Sequence, residues 1–401
     1  MVKHIDSTIR IVDKKPMKHY VMSRPSIEVL LEDPSLEEIM INKANAPVIV
    51  YHKEFGMCET NLKLDAKTLM KYISDFAKQR GEKLNSQHPF LDSRLHDGSR
   101  INITIPPITP DGPVITIRKF NRNPLSIIDL IKKGTMTTEM AAFLWTAVEG
   151  RKDYPFNILI VGGAGSGKTS TLTALVSFIP QQERIISIED PLEIYFGKRK
   201  NIVRMEYHPN PKGKAMTMNM LLENALRMRP DRLLLGEIRG EEAKTLFNAM
   251  NVGHSAMGTM HANSPRDCIA RLMGEPMSVP ENMLHLVDLI IVQQNIRDRD
   301  RIKRRITEIV EVQKSGNSVS FNTLFAYNPK KDSCKRSSTP SAKIEILAKL
   351  SGVEISAINK EIEEKRKILE KLLKNDVYDF DKVSLVIEQY YENSDIILGE
   401  L

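Results

Sequence analysis

Gly162-Gly163-Ala164-Gly165-Ser166-Gly167-Lys168-Thr169 follows directly on the apolar run 156–161. Residues of these types at this spacing form a phosphate cradle. Glycines let successive backbone N–H groups converge on phosphate oxygens, Lys168 brings a flexible cation to the β and γ phosphates, and Thr169 offers a hydroxyl to Mg²⁺. Gly163, Ala164, Gly165, Ser166 and Gly167 are the wrapping residues. Ser170 comes next, on a helix that begins near Lys168 and turns its positive end toward the same spot. A glycine-rich turn can also simply join strand to helix, but the Lys-Thr pair behind a buried strand favours nucleoside triphosphate.

Binding a nucleotide is not hydrolysing it, which needs a positioned water, a metal and charge stabilisation at the γ-phosphate. Leu233-Leu234-Leu235-Gly236-Glu237 is an apolar strand ending in a carboxylate that can orient or deprotonate water; alone, it would also fit a surface glutamate at a strand end. Ile185-Ile186-Ser187-Ile188-Glu189-Asp190-Pro191-Leu192-Glu193 places more acid at a strand's C-terminal edge, where ligands gather in open α/β sheets. Glu189 and Glu193 are candidates to hold Mg²⁺ through water, since that ion keeps several waters and takes few carboxylates. Asp190 before Pro191 has the simpler reading of a turn former. His254 and His261 flank a short strand, and an imidazole can donate to a terminal phosphate. The other histidines show no metal-ligand spacing, and no zinc-protease, serine-nucleophile or glycosidase pattern competes.

The elements that would position these residues alternate along the chain. Candidate strands cover 157–161, 184–189, 232–238, 257–261 and 288–293, with helices near 168–179, 216–228, 240–251, 264–273 and 280–287. Continuous apolar strands between helices imply a mostly parallel sheet covered on both faces, an α/β domain over 155–327. Upstream, strands over 38–42, 47–51, 100–105 and 114–118 with a helix over 65–79 indicate an α+β N-terminal domain spanning 36–123. Residues 1–35 read as a partly ordered lead-in, 124–154 as a helical connector and 328–342, rich in Lys, Ser and Pro, as a linker. In the helical C-terminal region, 343–401, Ile355, Ile358, Ile362, Leu369 and Leu372 form an apolar stripe that either packs on its own domain or meets a partner.

The 401 residues exceed what one core supports, and 41% hydrophobic with 27% charged residues fits a soluble globular chain. No run reaches bilayer-crossing length and the N-terminus lacks a signal-peptide core, so the expected setting is the cytoplasm. Cys58, Cys268 and Cys334 are odd in number and far apart, which excludes a disulfide framework. The net charge is +7, and the run 297–305 holds six basic residues and two aspartates. It reads as a solvated turn between strands or as a nucleic-acid patch; no aromatic residue is interleaved for stacking.

The order of the motifs resembles that of the type II/IV secretion ATPases, or traffic ATPases, which drive assembly or retraction of type IV pili, archaella and related secretion systems. The likeness covers about residues 36–315. Its marks are Gly98-Ser99-Arg100, Pro106-Pro107, Ile117-Arg118-Lys119-Phe120, the phosphate loop, Ile188-Glu189-Asp190-Pro191, Arg229-Pro230-Asp231 leading into Gly236-Glu237-Ile238-Arg239-Gly240, and His261-Ala262-Asn263. The resemblance implies an N-terminal domain joined to a RecA-like ATPase domain, a homo-hexamer, ATP with Mg²⁺, and a polytopic membrane platform protein through which pilin-like subunits are served indirectly from the inner face of the membrane. It makes Glu237 the catalytic glutamate, puts Glu189 in the acidic metal-side box and gives His261 the γ-phosphate. Arg239 and His254 join the nucleotide-binding set, and Arg100 and Arg118 become arginines delivered to the nucleotide. The tetracysteine zinc module of many bacterial members is absent, and Pro89-Phe90-Leu91-Asp92-Ser93-Arg94-Leu95 with the helical tail points to the archaeal branch. No nucleic-acid partner is expected, although a RecA-like translocase or a non-catalytic nucleotide sensor would share the cradle.

Overall fold

A computed structural model describes residues 2–4, 9–12, 17–120, 124–152, 154–207, 216–298, 301–316 and 318–392. The chain divides into two compact units, Met1–Arg122 and Asn123–Leu401.

In the first unit nine strands form one sheet: β1 (Val2–His4), β2 (Ile9–Val12), β3 (Lys18–Met22), β4 (Leu36–Ile41), β5 (Pro47–His52), β6 (Gly56–Lys63), β7 (Phe90–Arg94), β8 (Arg100–Thr104) and β9 (Val114–Arg118). Their order is β1-β2-β3-β6-β5-β4-β9-β8-β7. Strict alternation buries Ile101, Ile103, Ile115, Ile117 and Ile39 on one face. Leu69, Ile73 and Ala77 of α2 (Ala66–Gln79) join the same core; Asp65 caps this helix by accepting from the Thr68 N–H at 2.9 Å. The shorter α1 spans Ile27–Glu32. The expectation of a partly ordered lead-in over 1–35 needs correction in its described part. Ile9, Ile11, Tyr20 and Met22 are buried, β3 pairs with β6, and the Tyr20 hydroxyl donates to Asp33. The charges that suggested a lead-in occupy the alternate positions and leave the apolar ones free to enter the core.

The second unit holds β10 (Ile158–Val161), β11 (Ile185–Glu189), β12 (Ile202–Glu206), β13 (Arg232–Leu235), β14 (Ser255–Met260), β15 (Leu289–Asp298), β16 (Arg301–Ser315), β17 (Ser318–Asn328) and β18 (Ser333–Arg336). Sheet order is β12-β11-β13-β14-β10-β15-β16-β17-β18. Pairing is parallel from β12 through to β15 and antiparallel beyond it. Strand β10 is buried throughout: Ile158 and Ile160 enter one core, Leu159 and Val161 the other, so the sheet is covered on both faces. Five of its helices follow or cross the parallel strands: α4 (Thr138–Glu149) after the short α3 (Ile127–Lys132), then α5 (Lys168–Val176), α6 (Met218–Ala225) and α7 (Glu242–Asn251), with α8 (Pro265–Met273) next.

Two boundaries differ from the sequence reading. The stretch 124–154 is no mere connector, because α4 is buried on every side from Met140 to Val148. The linker expected over 328–342 contains β18, whose Cys334 and Lys335 pair with Tyr327 and Ala326. Turn-rich composition there marks a hairpin.

The C-terminal helices α9 (Ala342–Leu350), α10 (Ile355–Lys374) and α11 (Phe380–Glu392) pack on the same unit. Ile358, Ile362, Leu369 and Leu372 of the predicted stripe are buried within it. Lys365, fully buried on that stripe, donates to Thr146 Oγ1 at 3.1 Å and pairs with Glu149 of α4. Beside it Trp145 stacks on Phe178 at 5.1 Å, and its indole N–H donates to the Tyr391 hydroxyl at 2.7 Å.

Two expectations follow. Glu149→Ala leaves the Lys365 charge buried without its counter-ion and is expected to cost about 3 kcal/mol, whereas Glu149→Leu with Lys365→Met returns to within about 1 kcal/mol of wild type. Denaturant unfolding followed by the fluorescence of Trp145, the only tryptophan, checks both. At the exit of β10, a Cβ on Gly162 would sit 2.0 Å from the Gln293 carbonyl oxygen, while one on Gly163 meets nothing within 4 Å. Gly162→Ala should therefore destabilise by about 3 kcal/mol. Gly163→Ala should stay within about 0.5 kcal/mol in the same measurement.

Candidate functional site

Because β11, β13, β14 and β10 run parallel, their C-terminal ends share one edge of the sheet. The phosphate loop leaves β10 at that edge, Glu189 ends β11, Glu237 follows β13 and His261 follows β14. Order along the chain becomes adjacency in space through the sheet alone.

Gly163, Ala164 and Gly165 are exposed, with Gly165 and Gly167 in the left-handed region at φ 68° and 95°. Gly167 caps α5 without a side-chain acceptor, so the first N–H groups of that nine-residue helix open toward the loop. The buried Lys168 ammonium donates to the carbonyls of Gly162 and Gly163, each at 3.0 Å. Burial pushes its pKa below the ordinary lysine value, and the charges of Glu237 and Glu193 pull it back up. Ser166 Oγ is buried with no hydrogen-bond partner. Thr169 and Ser170 are half-buried on the first turn of α5. An orphan hydroxyl, an uncapped helix start and a lysine folded back on its own loop are the donor set a polyphosphate takes.

Glu237 lies within reach of this cradle. One carboxylate oxygen is 3.2 Å from His261 Nε2, and the other accepts from Arg239 Nη2 at 2.5 Å. Arg239 extends to Asp190 at 3.8 Å, and the Glu237 carboxylate raises the guanidinium pKa further. Behind this group Glu242 accepts from the N–H groups of Arg239 and Gly240, at 2.7 and 2.8 Å, and the Thr259 hydroxyl donates to the Gly236 carbonyl at 2.6 Å. Each Glu237 oxygen carries one of these contacts and keeps a further lone pair with which to accept from a water.

Glu189 is fully buried and accepts from Ser187 Oγ at 2.8 Å and from the N–H groups of Glu193 and Ile194 at 2.7 Å. Burial raises its pKa against the pull of those donors. Its carboxylate is spent on shaping the turn that carries Glu193, which is half-buried and electrostatically coupled to Lys168. Thr169 and Glu193 remain the donors suited to Mg²⁺. Among the described residues no three His, Cys, Asp or Glu side chains form a metal cluster.

His254 requires a correction. It precedes β14, whose Met257 to Met260 run parallel beside Ile158 to Val161, so it stands at the opposite edge of the sheet from the loop, about 20 Å away at ~3.3 Å per residue. Its Nδ1 is buried without a partner. Two histidines at the two ends of one strand cannot both serve one edge.

Arg100 and Arg118 belong to the first unit, where they face each other across β8 and β9, with Arg94 opposite Arg100. Arg100 is 3.3 Å from Asp92, and Glu38 lies opposite Arg118.

The structure adds residues that the spacing of motifs did not reveal. Alternation along β15 turns the Gln293 side chain inward, where its amide donates to the Ser166 carbonyl at 2.9 Å and accepts from Thr171 at 2.7 Å. Asn295 Nδ2 reaches the Ala164 carbonyl at 3.4 Å and Arg304 Nε the Gly165 carbonyl at 3.0 Å. The one sequence signal was the polar triplet Gln293-Gln294-Asn295 closing an apolar strand.

The chain matches the Type II/IV secretion system protein family over residues 22–377. An uncharacterized protein of Methanocaldococcus jannaschii is 34% identical over 404 residues, covering 96% of this chain and 72% of the relative. Another from the same organism is 47% identical over 232 residues, covering 57% of this chain and 32% of its own length, so the chain spans about a third of that relative. Among solved structures the Legionella pneumophila ATPase DotB is 16% identical with a TM-score of 0.53, covering 92% of this chain and 98% of DotB; at that identity it speaks for the fold. With its RecA-like α/β unit and its phosphate loop in place, the chain belongs to the type II/IV secretion system protein family, the traffic ATPases.

Proposed function

We propose that the chain is a Mg²⁺-dependent ATPase that works as a homo-hexamer and couples hydrolysis to the assembly of type IV pilus-like filaments, acting on a polytopic membrane platform protein from the cytoplasmic face. The observation that supports hydrolysis over mere binding is the Glu237 carboxylate, held by His261 and Arg239 beside the Lys168 cradle.

In this reading Lys168 exchanges the carbonyls of Gly162 and Gly163 for phosphate oxygens. Glu237 takes the proton of the attacking water on an oxygen lone pair that neither partner uses. His261, 3.2 Å from that carboxylate, offers a ring N–H to the terminal phosphate. Mg²⁺, when held by Thr169 and through water by Glu193, neutralises charge on the β and γ phosphates. Glu189 serves the same side by fixing the turn beneath Glu193. Arg100 and Arg118 bring guanidiniums able to pair bidentately with phosphate oxygens. The motor property rests on differential affinity, since a ligand shifts a conformational equilibrium only as far as its affinities for the two states differ.

The purified chain should hydrolyse ATP with Mg²⁺ and stop when the metal is chelated. Glu237→Gln should keep ATP affinity and lose turnover by about 10²–10⁴-fold, the range for a missing general base. Equal turnover in wild type and variant would remove Glu237 from the mechanism; Lys168→Ala should instead weaken binding.

Arg100→Ala and Arg118→Ala should each lower turnover by about 10³-fold while nucleotide affinity falls much less. Light scattering with a non-hydrolysable ATP analogue reports whether a ring accompanies activity. A monomer fully active at every concentration, or arginine variants at the wild-type rate, would overturn those two parts.

A further inference from the structure

The hairpin β15–β16 carries a run of basic side chains past the phosphate loop, and strand alternation sorts them by face. Lys303 and Arg305 point one way, where both pair with Asp332, at 2.9 and 2.8 Å, and hold its carboxyl well below the ordinary range. Arg304 points the other way. It stands opposite Asn295 in the antiparallel register, and both side chains reach the loop, Asn295 to the Ala164 carbonyl and Arg304 to the Gly165 carbonyl. The Arg304 stem lies against Gly167, where an added Cβ would come within 3.3 Å of its Cδ.

This placement leaves a charge unspent. Among the described residues the Nε of Arg304 is used and its two Nη groups have no partner, and no carboxylate pairs with it. The other cations around the loop are committed: Lys168 folds onto Gly162 and Gly163, and Arg239 is held by Glu237 and Asp190. An exposed guanidinium anchored by one nitrogen beside a phosphate cradle, with its remaining donors open, has lost part of its rotamer freedom before any anion arrives.

We propose that Arg304 is a further nucleotide-binding residue, a second cation of the cradle that grips the polyphosphate of the bound nucleotide through its Nη groups while its Nε holds the loop. The inference rests on the reading of 162–169 as a triphosphate site and adds to it a residue from outside that motif. Its bond to Gly165 is the anchor, and its charge is the function.

The test separates the two. Full-length wild type, Arg304→Ala, Arg304→Gln and Arg304→Lys are titrated with fluorescent N-methylanthraniloyl ATP, ADP and AMP, with thermal melts to confirm that each variant is folded. Arg304→Ala should weaken ATP and ADP binding by about ten- to a hundred-fold, as loss of a charged hydrogen bond does, with little change for AMP. Arg304→Gln keeps a donor for the Gly165 carbonyl without charge and should bind as weakly as Arg304→Ala; Arg304→Lys should recover part of the loss. Wild-type affinity in Arg304→Gln would reduce the residue to a loop brace, and wild-type affinity in Arg304→Ala would remove it altogether. If wild type itself binds no ATP, the triphosphate reading fails first and this one falls with it; if wild type binds and the variants match it, only Arg304 is lost.

Discussion

Gln293 is the residue on which the phosphate loop depends. Its side chain, 1% exposed, donates to Ser166 and accepts from Thr171, bridging the loop and the helix that follows, while its backbone carbonyl occupies the space beside Gly162. A glutamine can do this because it carries donor and acceptor on one planar group, and burial makes each unmade bond costly. Alternation along β15 points it there, on the same face as Ile291, and a bulge in β16 with Thr307 as its extra residue shifts the pairing just beside it.

The rest of the second unit is tied by buried charge in the same manner. Asp288, at the start of β15, accepts from the Tyr154 hydroxyl and the Asn157 N–H at 2.7 and 2.8 Å and pairs with Lys343 at 2.6 Å. Glu311 accepts from Ser341, Ala342 and Lys343 and so caps α9 from a neighbouring strand. These contacts lock the first C-terminal helix to the start of β15 and to β16. Lys365 of α10 repeats the pattern one layer out by pairing with Glu149 of α4. Buried pairs of this sort add less to stability than to specificity of docking, since each partner's desolvation consumes most of the attraction. The helices can sit in one place only.

Much of the parallel half of this unit was legible because its signals are local. Val161, Glu189 and Leu235 end apolar runs bounded by glycine or proline, and a parallel sheet brings such ends to one edge whatever the loops do. Less legible were features whose cause lies elsewhere in the fold. The half-polar β12 owes its strand to pairing with β11, and Ile9 and Ile11 are strand residues only because β3 stands beside them. His254 looked equivalent to His261 because a motif written in one dimension does not say which end of a strand is up. Arg304 was one of six basic residues in a run, and only alternation against Asp332 distinguishes it from Lys303 and Arg305.

The row of Arg94, Arg100 and Arg118 on three adjacent strands has a consequence for the N-terminal unit itself. Like charges set directly across a ladder repel, and acids stand in the same row, Asp92 at 3.3 Å from Arg100 and Glu38 opposite Arg118. Dissolved salt weakens both the repulsion along this row and the attraction to its acids, with a screening length of about 10 Å at 0.1 M.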